Sequence, residues 1–389
     1  MAKEFSHSLV LLALARAFQQ LGVTSSELRL EALAEMITRT MAQPGRVFHA
    51  VHHALALVDD DEPVITLAAL FHDLVYLKLD DGFPLAFQNI ADRLFRTEAA
   101  AFRWCADAAS DHEQLCASVF DVGPASILRP EQGLNEFSSA LLAVNALGDL
   151  LKPAVLLSVV ACIEASIPFR SRKDRDLDAE VLSRVMRVNA QFHCGLDTDG
   201  VRAVVAHARD FANRDVSGFA AVKPARFLSD TLTLIEENAR VAIRQGEAVP
   251  SAYLHALVSM LRFLDGLRPE SVFRSEAGAA PTLCDPHLAE NLSVGRLIMR
   301  LLVIAARHKL QHPDQTPVAD AHVCLPAPAQ KLVDILLAVD TDNDFLSMLL
   351  NFAHLFLYRV YDSPLSGLGQ GENAFFDGQI SVDAYLGGV

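Results

Sequence analysis

Apolar residues recur at helical spacing along most of the chain, and the strict alternation typical of strands is scarce. The breaks between the periodic segments contain residues typical of turns, as in "QPGR" and "GLDTDG". The pattern therefore predicts an all-α protein. The predicted helices cover residues 5–21, 25–41, 46–59, 63–78, 85–118, 137–148, 150–165, 177–192, 199–213, 226–244, 250–266, 286–309, 328–339 and 343–361.

A polar stretch, "NRDVSGFAAVKPARF", interrupts the helical pattern near the middle of the chain. We expect it to separate a helical domain at residues 1–215 from a helical C-terminal region at residues 216–389, which ends in an irregular glycine-rich tail. The sequence leaves the role of that region open. A lid, a homodimer interface and a second binding site are all compatible with it.

The composition narrows the class of protein. Of the 389 residues, 51% are hydrophobic and 21% charged, which is enough apolar material for a large core, and the net charge is −15. A surface of that sign repels polyphosphate backbones, so a nucleic-acid polymer is not an expected partner. No apolar run is long and clean enough to span a bilayer, and six scattered cysteines without a CxxC pair are typical of a reducing compartment. We expect a cytoplasmic protein without a membrane partner.

The stretch at residues 46–76, "RVFHAVHHALALVDDDEPVITLAALFHDLVY", combines histidines with an otherwise apolar helical pair. A His-Asp dipeptide arises about once by chance in such a chain, so the context carries the signal. His49 and His53 are four residues apart and would share one face of a helix. The short turn that follows can bring that face against His72 and Asp73, which interrupt an apolar helix.

Imidazole nitrogens together with a carboxylate suit Mn, Fe, Co, Ni or Zn. A buried carboxylate is costly unless a cation or several donors compensate it. We therefore expect this group to bind one divalent transition-metal ion.

The pattern "RVFHAVHH…LAALFHDLVY" resembles the HD superfamily of metal-dependent phosphohydrolases, in particular members with an R-x-[YF]-H-x-x-x-H helix followed by F-H-D-x-V-Y. The close match covers residues 46–76. The resemblance implies a helical bundle in which His49 is the first metal ligand, His53 its alternative or partner, and His72 and Asp73 the adjacent pair. It also implies a distant aspartate as the remaining ligand.

Several acidic residues are candidates for that aspartate. Asp149, in "LLAVNALGDLLKPAV", is favoured because its neighbours are apolar, while Asp107 and Asp111 stay open as alternatives. His112 is a candidate ligand of a second metal ion or a general acid or base.

Two further positions are candidates for catalysis and substrate binding. Glu164, a carboxylate in the apolar segment "VVACIEASIPFR", could orient a ligand histidine or a water molecule, or pair with Arg170. Arg170 and Arg46 are candidates to bind a phosphate bidentately.

The resemblance supplies the expected activity: hydrolysis of a small phosphorylated molecule or nucleotide by a metal-activated water, which Asp73 helps to orient. Two alternatives stay open. One is an HD-fold di-iron oxygenase, which would need more histidine or carboxylate ligands. The other is a non-catalytic regulatory protein that only binds a metal or ligand.

Overall fold

The computed structural model describes residues 2–98, 101–169, 177–274 and 286–311. Within them the protein is predominantly α-helical, which confirms the predicted fold class. No helix among the described residues is both long and apolar enough to cross a membrane. The α-helices are Ala2–Gln20 (α1), Glu27–Thr40 (α2), Val51–Ala56 (α3), Pro63–Phe71 (α4), Leu77–Asp80 (α5), Gln88–Leu94 (α6), Asp111–Val119 (α7), Leu134–Leu147 (α8), Pro153–Ala165 (α9), Leu177–Gln191 (α10), Thr198–Asp215 (α11), Pro224–Arg244 (α12), Val249–Gly266 (α13) and Pro286–Gln311 (α14).

The described residues fall into two compact units. The N-terminal unit contains those of Met1–Phe219 and Leu267–Asp285, and the C-terminal unit those of Ala220–Gly266 and Pro286–Val389. The predicted helices at 328–339 and 343–361 and the glycine-rich tail lie outside the described residues.

Helix α4 lies at the centre of the N-terminal unit. Every residue from Val64 to Phe71 is buried, because the sequence "VITLAALF" is apolar except for Thr66 and the helix packs against α1, α8, α9 and α11. Pro63 starts the helix at a position where its missing N–H costs nothing. The two residues that follow α4 are therefore placed inside the bundle.

A small antiparallel sheet replaces part of the long helix predicted at residues 85–118. Strand β1 (Phe95–Glu98) pairs with β2 (Ala101–Trp104), which pairs with β3 (Ile127–Leu128). Phe95 lies opposite Trp104, and their rings, 5.8 Å apart, join an aromatic cluster with Phe137 of α8. Cross-strand aromatic packing of this kind stabilises a hairpin over a helix.

The C-terminal unit is built from α12, α13 and α14, which pack against one another. The buried side of α12 presents residues at helical spacing: Leu228, Leu232, Ile235 and Ala239. Gly295 lets α14 approach α12 closely, since a Cβ built there would lie 2.6 Å from Cε1 of Phe227.

Candidate metal centre

The first histidine segment is less helical than its spacing suggests. The helix predicted at 46–59 is reduced to α3, which begins only after Ala50, an N-cap residue in extended conformation. His49 therefore lies in the bend before the helix, whereas His53 lies within it. Their ring centroids are still only 6.0 Å apart, so the two imidazoles remain neighbours.

The predicted helix at 63–78 ends early, at Phe71, and the His-Asp pair occupies its C-terminal end. His72 is the C-cap residue, and Asp73 lies in the turn that follows. Beyond the turn, the backbone N–H of Val75 donates to the hydroxyl of Ser139 on α8, at 2.9 Å, instead of continuing the helix. The pair therefore projects from a fixed helix end rather than from a helix face.

The ring of His72 is held in one orientation. Its Nδ1 lies 2.9 Å from the carbonyl oxygen of Ala69; because a carbonyl only accepts, Nδ1 carries the proton and donates. The edge of the ring meets Phe211 of α11 at a centroid distance of 5.5 Å. His72 is 2% exposed, and its buried Nε2 has no hydrogen-bond partner.

Three side chains converge on that nitrogen and form with His72 a four-residue group: His53, His72, Asp73 and Asp215. Oδ2 of Asp73 lies 3.0 Å from Nε2 of His72 and 3.7 Å from Nε2 of His53. Oδ1 of Asp215 lies 3.2 Å from Nε2 of His53 and 3.6 Å from Nε2 of His72. The side chains of Asp73 and Asp215 are 13% and 16% exposed, so the group is mostly buried.

The electrostatics of the group follow from two carboxylates beside two imidazoles. Burial disfavours the charged form of His72, but the charges of Asp73 and Asp215 outweigh it and raise its pKa well above the usual value. Burial likewise opposes ionisation of both aspartates. His72, His49 and His53 nevertheless lower the pKa of Asp73, and His53 and His72 lower that of Asp215 to about 2.

This arrangement could hold a metal ion. One nitrogen or oxygen from each of His53, His72 and Asp73 lies within 4.8 Å of the others, and Asp215 adds a second carboxylate that contacts both imidazoles. A buried imidazole nitrogen without a hydrogen-bond partner, next to carboxylate oxygens, fits a transition metal. His49 borders the group, with its ring centroid 6.0 Å from that of His53, and its role as the first ligand stays a prediction.

The remaining carboxylate of the group is Asp215, not the predicted Asp149. Asp149 lies on the turn after α8, is 68% exposed in its side chain and pairs with Arg29 at 3.3 Å. The alternatives, Asp107 and Asp111, are also exposed. An exposed carboxylate needs no metal to compensate its charge, so the structure does not support the argument from apolar neighbours, and Asp149 as a ligand stays a prediction.

Asp215 was not predicted because the helix predicted at residues 199–213 ends two residues before it. The buried residues of α11 continue to that point at spacings of three and four: Val201, Val204, Ala208 and Phe211. Asp215 is the next position of the same series, so it falls on the buried face. The sequence signal that could have identified Asp215 is an acidic residue at the next position of an apolar helical series.

His112 and Glu164 lie apart from the four-residue group, and their catalytic roles stay predictions. His112 lies in the first turn of α7 and packs on the end of α8, where a Cβ built on Gly148 would lie 2.3 Å from its Nδ1. Glu164, 1% exposed, forms an ion pair with Arg184 at 2.8 Å. The structure places neither with the four-residue group. Arg170 lies outside the described residues.

Arg46 also differs from its predicted role. Its side chain is fully buried and forms an ion pair with Asp80 at 2.6 Å, so the guanidinium is not presented to a phosphate. Its other hydrogen bonds go to backbone carbonyls, including that of Asp73. These contacts do not support substrate binding by Arg46, which stays a prediction from the sequence.

Comparison of the chain with protein-family models, with curated proteins and with solved structures finds no match. The resemblance of residues 46–76 to HD phosphohydrolases therefore stays a prediction. The candidate metal centre rests on the side-chain geometry of this chain.

Proposed function

We propose that this protein is an HD-type metal-dependent phosphohydrolase acting on a small phosphorylated molecule, such as a nucleotide. The observation that carries the proposal is the convergence of two imidazoles and two carboxylates, in which the buried Nε2 of His72 lies 3.0 Å from Oδ2 of Asp73 and 3.6 Å from Oδ1 of Asp215. Nitrogen and oxygen atoms grouped in this way fit a transition-metal ion. The ion would be held by His53, His72, Asp73 and Asp215.

The ion and the protein would contribute differently to the proposed hydrolysis. A bound divalent ion would lower the pKa of a water molecule and neutralise charge on a phosphoryl oxygen. The Nδ1–H bond of His72 to the carbonyl of Ala69 fixes the imidazole, so that Nε2 would be the nitrogen that holds the ion. Asp73 offers a second carboxylate oxygen that can accept a hydrogen bond from a water and orient it.

The reaction class and the substrate class rest on different features. Phosphoester hydrolysis is inferred from the resemblance of residues 46–76 to HD phosphohydrolases. A small substrate is favoured because the net charge of −15 opposes binding of a polyanion. With Arg46 engaged by Asp80, the ion would supply positive charge that attracts a phosphoryl group.

Metal analysis combined with a phosphoester screen tests the proposal. The full chain would be purified, its metal content measured by mass spectrometry, and hydrolysis assayed with p-nitrophenyl phosphate and a panel of nucleoside monophosphates. We expect one transition-metal ion per chain and metal-dependent release of phosphate. Both should be lost in His72→Ala and kept in His112→Ala, a histidine variant of the same unit that lies outside the four-residue group.

Three results would overturn the proposal in different ways. A folded chain that takes up no divalent ion would remove the metal centre. An ion bound without hydrolysis of any phosphoester would reduce the protein to metal binding. Two irons per chain with oxygen consumption would replace hydrolysis by oxygenation.

A further inference from the structure

The guanidinium of Arg46 uses all five of its N–H donors inside the protein. Nε donates to Oδ1 of Asp80 at 2.8 Å, and one Nη2–H donates to Oδ2 of the same carboxylate at 2.6 Å. The other Nη2–H donates to the carbonyl of Leu74 at 2.9 Å. Nη1 donates to the carbonyls of His49 at 3.2 Å and Asp73 at 2.6 Å. No donor remains for a ligand.

The three carbonyls belong to two segments outside the helices. His49 lies in the bend before α3, and Asp73 and Leu74 lie in the turn after α4. Helical carbonyls are satisfied within their own helix, whereas carbonyls in such bends need other donors. Arg46 supplies these donors to both segments, so one side chain joins the backbone of the first histidine segment to that of the His-Asp pair.

Asp80 holds the guanidinium in place. The pair is bidentate, its side chains are 0% and 2% exposed, and Oδ2 of Asp80 also accepts from the backbone N–H of Tyr76 at 3.3 Å. A planar, forked donor is required for this geometry; a lysine ammonium has three donors and no fork. Arg46 is therefore not interchangeable with another cation.

We propose that Arg46, held by Asp80, is a positioning residue of the metal centre; the inference rests on the function proposed above. Arg46 holds the carbonyl of Asp73, whose Oδ2 lies 3.0 Å from Nε2 of His72. Metal–ligand distances tolerate changes of only about 0.2 Å. Releasing the backbone of Asp73 therefore weakens metal binding even though Arg46 contacts neither the ion nor the substrate.

Titration of the metal-free full chain with Co²⁺ tests this role, because the visible spectrum of Co²⁺ reports ligand geometry as well as affinity. Arg46→Lys keeps a charge beside Asp80 but loses the fork. The double variant Arg46→Met/Asp80→Leu removes both charges and keeps apolar volume, so it avoids leaving a buried carboxylate unpaired. Arg184→Lys is the matched control, since Arg184 pairs at 2.8 Å with Glu164, which is 1% exposed and lies outside the four-residue group.

We expect Co²⁺ affinity to fall about 10–100-fold in Arg46→Lys and in the double variant, with altered visible bands. Arg184→Lys should bind Co²⁺ as the wild type does, even where it unfolds at a lower temperature. Circular dichroism would establish that each variant is folded at the temperature of the titration, and the double variant decides the question if Arg46→Lys does not fold.

The two proposals fail in distinguishable ways. A wild-type chain without Co²⁺ binding overturns the metal centre itself. Wild-type binding accompanied by unchanged affinity and spectrum in the folded Arg46 variants overturns the positioning role alone, and leaves Arg46 a purely structural residue.

Discussion

His53 and Asp215 are 162 positions apart in the chain, yet Nε2 of His53 lies 3.2 Å from Oδ1 of Asp215. The contact joins α3 to the last residue of α11. It also completes a group of two imidazoles and two carboxylates around Nε2 of His72. The fourth member of the candidate metal centre is thus supplied by the packing of α11 rather than by a local motif.

Asp215→Asn should therefore weaken metal binding far more than Asp149→Asn. The amide is a poorer ligand than the carboxylate and removes a negative charge beside both histidines. Changes to groups that only support ligands cost about 10–100-fold in metal affinity, so loss of a ligand should cost at least about 100-fold. Isothermal titration with Mn²⁺ would measure the effect.

Asp149→Asn is the matched control, because that side chain is 68% exposed and pairs with Arg29. Equal affinities in the two variants would contradict the assignment of Asp215. A loss confined to Asp149→Asn would restore the expectation from the sequence.

The raised pKa of His72 predicts how the metal-free protein responds to pH. Its folded pKa lies above the unfolded value of 6.5, so the stabilisation is fully present below that pH and is lost as pH rises through the folded pKa. Thermal unfolding with a chelator, from about pH 5 to about pH 9, should show this decline in the wild type and a smaller one in His72→Asn. Identical pH profiles would contradict the electrostatic pairing of His72 with Asp73 and Asp215.

The helices were predictable because each buries a repeated apolar stripe. The segment predicted at 226–244 is α12, Pro224–Arg244, and the one predicted at 250–266 is α13, Val249–Gly266. The hairpin at 95–104 was not predicted because Leu94, Ala101 and Cys105 are spaced seven and four apart, which also fits a helix. Strand pairing is decided there by aromatic contacts across the unit, such as that of Trp104 with Phe137.

The candidate site was only partly predictable, because one of its residues is supplied by contacts between distant segments. Local spacing brought His53, His72 and Asp73 together in the prediction, because two short consecutive segments carry them. The fourth residue depends on which buried face a distant helix presents. The hydrogen bonds of Arg46 are made with Asp80 and with three backbone carbonyls. None of these contacts leaves a periodic signal in the sequence.

An ion pair of Glu113 in the N-terminal unit, outside the four-residue group, gives a stability prediction independent of the metal. Glu113, 1% exposed, pairs with Arg93 and accepts from the Asn145 amide at 2.9 Å. Burial opposes its charge, but the bonds from Arg93 and the backbone of Ser110 lower its pKa to about 2. The stabilisation by ionised Glu113 is thus fully present above pH 4.5, the pKa of the unfolded state, and is lost as pH falls through the folded pKa of about 2.

Glu113→Gln should lower the free energy of unfolding by about 1–3 kcal/mol at neutral pH, a range kept modest because Arg93 is 40% exposed. Urea denaturation at several pH values would measure it, and the difference from wild type should shrink in acid. Glu98→Gln is the control; its pair with Arg103 is about equally exposed on both sides and should contribute little to stability. A Glu113→Gln effect no larger than that of Glu98→Gln would refute the prediction.

Close packing in the C-terminal unit gives the last prediction, on Gly295→Ala. Alanine favours a helix over glycine by about 1 kcal/mol, so substitution in an unconstrained helix would stabilise it. Here the new methyl group would lie 2.6 Å from Cε1 of Phe227 and 3.3 Å from Cδ1 of Leu264. Phe227 is 2% exposed and has little room to move. Destabilisation by overpacking, about 1–3 kcal/mol, should therefore outweigh the gain in helix propensity.

A double-mutant cycle with Phe227→Leu separates the clash from any other effect of the methyl group. The smaller side chain should relieve the contact, so Gly295→Ala should destabilise the Phe227→Leu background by at least about 0.5 kcal/mol less than it destabilises the wild type. Urea unfolding of the four proteins measures the coupling. Additive effects, or a Gly295→Ala variant more stable than the wild type, would mean that α12 and α14 do not approach as closely as Gly295 and Phe227 indicate.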